Sequence, residues 1–493
     1  MEHATHALFD ALRRLSESDT VPMHMPGHKR SACGSACLDA LGARYDITEI
    51  DGFDNLHGAE GILKQAMARA AQLWGSEDAR FLVNGSTCGL LAGIRAATRR
   101  GDTVLVARNC HKAVYHALEL CGLVPVYLLP KADERFGFYT SLPPQAVEAA
   151  LAAHPSAALV VLTSPTYEGV LSDVASICSA AHRCGVPVLV DEAHGAHLGL
   201  HDFFAGGAVH AGADIVVQSL HKTLPSLTQT ALLHRSGTLV SQAALDRQLA
   251  VFETSSPSYL LMAAIDSCVG MLRQSGAQRF AAWERRIRAF DESTAHLRHL
   301  QVAFHTAMGG KADASSACYG TDPGKLVVST RGTSLTGPQL AAQLRAHGIE
   351  PEMTACDYVI AMTGMGDSDE NLVRLAAALR EIDSACTAAP APVRPTLPQA
   401  VPQQACSMEQ ALAAQTVLCT PQQAAGGVSA EFVWAYPPGI PLLVPGERID
   451  AAVLSVLAEM RRTGVRIYHS GAGENGKFLV AEGKESPFMY LQF

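Results

Sequence analysis

Three short segments hold side chains whose types and spacing suit one connected chemistry. The first, Phe81-Leu-Val-Asn-Gly-Ser-Thr-Cys-Gly89, runs from a short apolar strand into a helix. Free N–H groups at a helix start, the hydroxyls of Ser86 and Thr87, and the close approach that Gly85 allows suit a phosphate. N-capping by Ser86 is the plainer reading of the same residues. The second, Val188-Leu-Val-Asp-Glu-Ala-His-Gly-Ala-His197, delivers Asp191 at the carboxyl end of an apolar strand, where open α/β sheets bind ligands. A carboxylate there could face a cation such as a protonated pyridine nitrogen and keep it charged. Two other readings stand beside it: Asp191 caps the next helix, or it joins His194, His197 and His201 around a metal. The third, Gln218-Ser-Leu-His-Lys-Thr-Leu224, places Lys222 just beyond a buried strand. Partial desolvation would lower its pKa and make its amine fit for a Schiff base. Each signal has a bland alternative, but the order of phosphate loop, acid and amine is poorly explained as three coincidences.

The elements that must position these residues read as an α/β alternation. Apolar runs at Thr103–Ala107, Leu159–Thr163, Pro187–Val190 and Ile215–Val217 have the length of buried parallel strands, with helical stretches at Pro144–Ala153 and Val174–Cys184 between them. Such alternation predicts a mostly parallel sheet covered on both faces. Residues 5–18 read as an amphipathic helix, followed by an irregular segment, Met23-His-Met-Pro-Gly-His-Lys-Arg30. Beyond residue 270 the chain is helical. Strands near Lys325–Thr330 and Val359–Thr363 then mix with helices near 337–346 and 369–384. Pro390, Pro392, Pro395, Pro398 and Pro402 mark a linker at 389–404. The expected division is an arm over 1–60, a large domain over 61–275, a small α/β domain over 276–388, the linker, and a C-terminal domain over 405–493.

Composition excludes several classes. A chain of 493 residues with 48% hydrophobic and 17% charged residues is a multidomain globular protein, not a disordered one. The net charge of -9 and the absence of a basic stripe argue against a nucleic-acid partner. Thirteen cysteines form no CxxC pair, and Cys33 and Cys37 suit a helix face better than a zinc clip, so a reducing compartment is expected. The charged first residues lack a signal peptide's apolar core, and the apolar stretch around Leu151 to Tyr167 is broken by His154, Pro155 and Pro165. A cytoplasmic location with no membrane partner is the expectation.

The ordered set Met25-Pro-Gly-His-Lys29, Arg108-Asn-Cys-His-Lys112, Ser164-Pro-Thr-Tyr167, Asp191-Glu-Ala-His-Gly-Ala-His197, Ser219-Leu-His-Lys222 and Tyr436-Pro-Pro-Gly-Ile-Pro441 spans nearly the whole chain. It resembles the Orn/Lys/Arg decarboxylases among the fold-type I pyridoxal phosphate (PLP) enzymes, and most of all the short bacterial arginine-decarboxylase-like members. The resemblance implies an aspartate-aminotransferase-like large domain with smaller α/β C-terminal domains, and PLP as cofactor. It also implies decarboxylation of arginine, lysine or ornithine to the amine, a place in polyamine biosynthesis, and at least a homodimer. By the same resemblance Lys222 carries the cofactor as a Schiff base, His111 covers one ring face and Asp191 pairs with the ring nitrogen. Gly85, Ser86, Thr87, Ser219 and His221 hold the phosphate, Thr166 lies near the ring hydroxyl, and His194 packs beside the cofactor, which displaces the metal reading. Lys222 or His221 would return the proton to Cα. By the resemblance His28 belongs to a segment expected to reach an active site, its own or a partner subunit's, and Tyr259 lies in a family-like segment without an assigned role. Glu168 departs from the pattern of its segment.

A basic substrate needs a carboxylate for its distal cation. The candidates are the acidic segment Asp46–Glu60, which includes Glu49, Asp51 and Asp54, and Glu352 or Asp357. Rival functions are a same-fold aminotransferase or oxidase, a non-catalytic regulatory homologue, and a metal hydrolase using the histidines. The intact Lys222, Asp191 and His111 speak against the regulatory homologue.

Overall fold

The computed structural model describes residues 7–31, 35–133, 135–303, 318–386, 397–435, 439–471 and 476–482. Helix α1 (Ala7–Ser16) buries Leu8 and Leu12, the face its spacing marks as apolar. After α2 (Ala36–Ala40) and α3 (Ile62–Trp74), the chain enters the main sheet at β1 (Asp78–Leu82). Alternation then runs α4 (Gly85–Ala97), β2 (Thr103–Ala107), α5 (Lys112–Cys121), β3 (Val124–Leu128), α6 (Pro144–Ala153) and β4 (Leu159–Thr163). A short β5 (Val170–Leu171) precedes α7 (Val174–Arg183), β6 (Val188–Asp191), β7 (Ile215–Ser219), α8 (Leu220–Thr223) and β8 (Ala231–Arg235).

The seven-stranded sheet has the order β1-β8-β7-β6-β4-β2-β3. The stretch from β7 to β3 is parallel, and β8 runs antiparallel to both neighbours. Strands β4, β6 and β7 are buried on both faces and largely apolar because helices cover both. Edge strand β3 carries Pro125, which a central position would not tolerate, and its residues are half-buried. Helix α4 lies close against the sheet because Gly89 and Gly93 lack side chains. A Cβ on Gly89 would stand 2.5 Å from Leu82 Cδ1, and one on Gly93 2.8 Å from Leu189 Cδ1. That approach holds the N-terminus of α4 down at the strand ends.

Helix α9 (Gln242–Phe252) leads to α10 (Tyr259–Thr294), a single helix of 36 residues that crosses the expected junction at 275/276. Met262, Ile265, Val269, Phe280, Trp283 and Ile287 on it join Phe81 of the large sheet and Leu326 and Val328 of the next in one core. That next sheet is antiparallel and four-stranded, with Lys325–Ser329 and Tyr358–Met362 at its centre. The expected linker lies partly outside the described residues, and so do Cys33, residues 436–438 of the Tyr-Pro-Pro-Gly segment and the final residues from 483. The C-terminal region holds two three-stranded sheets beside helix Ala451–Arg462. It is fastened to the large sheet through Arg108, whose guanidinium reaches Glu447 (3.1 Å) and the Pro441 carbonyl (2.6 Å), all buried. Among the described residues no helix is long and apolar enough to cross a membrane.

Candidate active site

The carboxyl ends of the parallel strands open on one cavity of about 390 Å³, within the range of small-molecule sites. Its lining includes Ser86 from the start of α4, His111 from the start of α5, Thr163 and Asp191 from the ends of β4 and β6, and Lys222 from α8 just past β7. Thr163 and Asp191 are paired across the β4–β6 ladder, so the register itself sets them side by side. Tyr167, His194, His221, Glu352, Met362 and Ile440 complete the wall together with Asn109 and Ala193.

Burial governs the charges. Asp191 is buried, and desolvation pushes its carboxyl up; the Lys222 cation and the Ala193 N–H, which donates to Oδ1 at 3.1 Å, pull the other way. Desolvation also lowers the Lys222 ammonium, against the pull of Asp191 and Glu352. His111 is held at about 4 by burial and by nearby Lys222, so its ring is neutral near pH 7; its Nδ1 accepts the Ala113 N–H and caps α5. His221 Nδ1 donates to the Thr230 carbonyl at 3.0 Å. His194 stands between two amines: Nε2 lies 3.0 Å from Lys222 Nζ and Nδ1 lies 2.7 Å from Lys325 Nζ. Glu352 accepts the Tyr167 hydroxyl at the rim.

Of the residues expected from sequence, Ser86, His111, Asp191, His194, His221, Lys222 and Glu352 meet in this cavity. Gly85 opens α4 with φ +75, Ser219 ends β7 with its hydroxyl buried, and Thr87 is exposed on the first turn. The Thr166 hydroxyl turns away and accepts the Val170 N–H at 3.2 Å, while Thr163 lines the cavity. His28 pairs with Asp46 at 3.2 Å within the arm. The Asp54 carboxylate accepts the N–H groups of Glu60, Gly61 and Leu63, holding the start of α3, and these bonds keep it low despite partial desolvation. Asp357 is paired with Arg331. The three histidines grouped as possible metal ligands diverge: His197 bonds Thr223 and Asp322, and His201 caps the turn at Phe203. Sequence reasoning missed Lys325, whose signal was a lysine at the start of an otherwise apolar strand, Asp322-Pro-Gly-Lys-Leu-Val-Val328. It also missed Asn109 and Tyr167, which lie in segments already singled out.

A mostly parallel sheet with a lysine and an aspartate at adjoining strand ends, facing a phosphate-ready helix start, defines a fold-type I PLP-dependent enzyme. The comparisons with known proteins narrow this. Residues 6–371 match the family model for the Orn/Lys/Arg decarboxylase major domain, and residues 391–466 match that family's C-terminal domain. An arginine decarboxylase of Bacillus subtilis (strain 168) is 33% identical over 469 residues, 92% of this chain and 93% of that protein. An arginine decarboxylase of Halalkalibacterium halodurans is 31% identical over 470 residues, 93% of this chain and 94% of that protein. The crystal structure of the Francisella novicida lysine decarboxylase LdcF superposes with a TM-score of 0.80 at 19% identity, covering 96% of this chain and 80% of the other. The chain belongs to the Orn/Lys/Arg decarboxylase family, and its cofactor is PLP.

Proposed function

We propose that this protein decarboxylates a basic L-amino acid to the corresponding amine and CO2, with Lys222 as the residue that holds the cofactor. The observation that carries the reading is the convergence of Lys222, Asp191, His111 and Ser86 on one cavity whose rim bears the carboxylate of Glu352. The residues fit PLP. Ser219 Oγ is buried and has no hydrogen-bond partner among the described residues, so an oxygen-rich ligand would satisfy it. Ser219, Ser86 with the first N–H groups of α4, and His221 would hold the phosphate. His111 would lie against the ring, and Asp191 would face its nitrogen.

When bound, PLP supplies an aldehyde carbon for an amine to attack and a ring that accepts the electron pair released at Cα. Lys222, its ammonium lowered by burial, presents an amine that loses its proton more readily than an exposed lysine and so can act as nucleophile. Asp191, buried in the cavity wall, would hold its charge against the cation that stands over it. Glu352, at the rim, would take the distal cation of the substrate and so help to orient it. His221, neutral and anchored through Nδ1, leaves Nε2 for moving a proton at Cα; Lys222 is the other amine within reach.

Relatives named arginine decarboxylase match most of the chain, which makes arginine the first substrate to test. The test is incubation of the PLP-loaded enzyme with arginine, lysine and ornithine, following agmatine, cadaverine, putrescine and CO2. The expected result is one amine with equimolar CO2, abolished together with the visible absorbance band in Lys222→Ala. Formation of a keto acid instead would favour the transaminase or oxidase reading and sink this one. We also propose a cytoplasmic homodimer, supported by an arm whose Val21, Met23 and Met25 are exposed in the single chain.

A further inference from the structure

Lys325 is an unusual lysine. It begins a strand of the second sheet, is 2% exposed, and lies far in sequence from every segment that builds the strand-end site. The carboxylates of Asp322, Glu352 and Glu168 act on it through their charge, without a hydrogen bond to it. Asp322, on its own turn, pairs with His197 and accepts the Gly324 N–H. Glu168, from the loop after β4, accepts the Tyr358 hydroxyl, and Glu352 accepts that of Tyr167. The Tyr167 ring lies 5.6 Å from Lys325 Nζ. From the strand ends, Asp191, His111 and His221 face Lys222, the far member of the group. Among the described residues the Lys325 ammonium therefore has one hydrogen-bond partner, His194 Nδ1.

That contact makes a chain of three groups: Lys325 Nζ, 2.7 Å to His194 Nδ1, then His194 Nε2, 3.0 Å to Lys222 Nζ. Burial and the flanking amines hold the imidazole neutral, so it carries one N–H and one lone pair. A neutral ring between two amines permits two tautomers and no other arrangement that satisfies both bonds. If Lys222 carries the proton, it donates to Nε2, and Nδ1–H donates to a neutral Lys325. If Lys325 carries it, Nδ1 accepts, and Nε2–H donates to a neutral Lys222.

We propose that Lys325 is a positioning residue that acts through His194, accepting the proton Lys222 must lose before its amine can attack. The exchange balances: Lys222 Nζ gives a proton to Nε2 as the Nδ1 proton passes to Lys325 Nζ, and the imidazole begins and ends neutral. Burial brings the Lys325 amine to about 8, so above that pH it is mostly neutral and free to accept. The inference rests on the reading that Lys222 is the nucleophile, and it concerns the protein before any cofactor arrives.

The test is the rate at which an amine-acylating reagent modifies Lys222 in the cofactor-free full chain, read by peptide mass spectrometry from pH 6.5 to 10.5. Lys325→Met removes the acceptor, and the profile moves to higher pH by about one unit, a tenfold slower acylation below the midpoint. Lys325→Arg cannot give up its proton and fixes the other tautomer, so the profile moves to lower pH. In a His194→Gln background, which keeps a donor and an acceptor but cannot relay, the Lys325 changes leave the profile within twofold. Shifts of full size in that background would mean coupling through space and would overturn the relay. Unmoved profiles in Lys325→Met and Lys325→Arg overturn it as well, and Lys325→Gln replaces the methionine variant if that fails to fold by circular dichroism. Failure of the functional reading looks different: Lys222→Ala would then keep the cofactor's absorbance, whatever the acylation profiles show.

Discussion

Replacing Glu447 with glutamine tests how the C-terminal region is held to the large sheet. Arg108 is 5% exposed and Glu447 0%, and their contact at 3.1 Å crosses between the loop after β2 and the C-terminal region. Glutamine preserves the volume and an acceptor for the Val444 N–H, now 2.8 Å from Glu447 Oε2, but leaves the guanidinium without a counter-charge. Removing one member of a buried pair costs about 3 to 5 kcal/mol. Arg108 keeps the Tyr115 hydroxyl and the Pro441 carbonyl as acceptors, which sets the expectation at the lower end, about 3 kcal/mol. With a urea slope of about 1 to 3 kcal/mol per molar, the midpoint falls by about 1 to 3 M. Trp434 reports the event, because Lys112 Nζ stands 5.1 Å from its ring across the same junction. Arg108→Met with Glu447→Leu removes both charges, and stability returns to the wild-type value or above. If the single variant lies within 1 kcal/mol of wild type, or the double is as unstable as the single, the ion pair does not fasten the two parts as argued.

Three further outcomes are expected. His234 is fully buried and held at about 3 by desolvation, below its usual 6.5. The unfolded chain therefore binds the proton first, so stability is full above pH 6.5 and falls as pH drops toward 3. By pH 4 about 3 kcal/mol is lost through this group, and urea titrations of His234→Gln should show a flatter acid limb. Asp54→Ala removes the acceptor that holds the start of α3 and lowers stability by about 1 to 2 kcal/mol while KM for the amino acid stays put; a raised KM would return Asp54 to the substrate site. Glu352→Gln raises KM for the basic substrate by roughly tenfold with kcat within a few-fold, a loss of about 1.4 kcal/mol for a partly screened charge. An unchanged KM would place the distal cation elsewhere.

The apolar runs of the parallel strands were legible because burial on both faces leaves no polar position in them, and the residues just past their ends followed directly. Strand β8 was not, since Ala-Leu-Leu-His-Arg is too short and mixed to separate from the loops around it. Helix α10 did not read as one piece because Gly270 and Gly276 interrupt its pattern. Asp54 read as a candidate for the substrate's cation, and its capping role was hidden because it caps a helix from seven residues upstream, outside the usual position. Lys325 escaped notice for a different reason: its partner lies 131 residues away, in the turn after β6, and no local spacing encodes that meeting.

Helix α10 spans about 54 Å at 1.5 Å per residue, and it packs on both sheets without a break. A swinging domain needs a few residues free to change their backbone angles, and an uninterrupted ladder of hydrogen bonds offers none along this strut. The gap between the strand end that bears one amine and the strand that bears the other is thereby fixed. Traffic in and out of the cleft falls to side chains and surface loops, with the two sheets moving as one body.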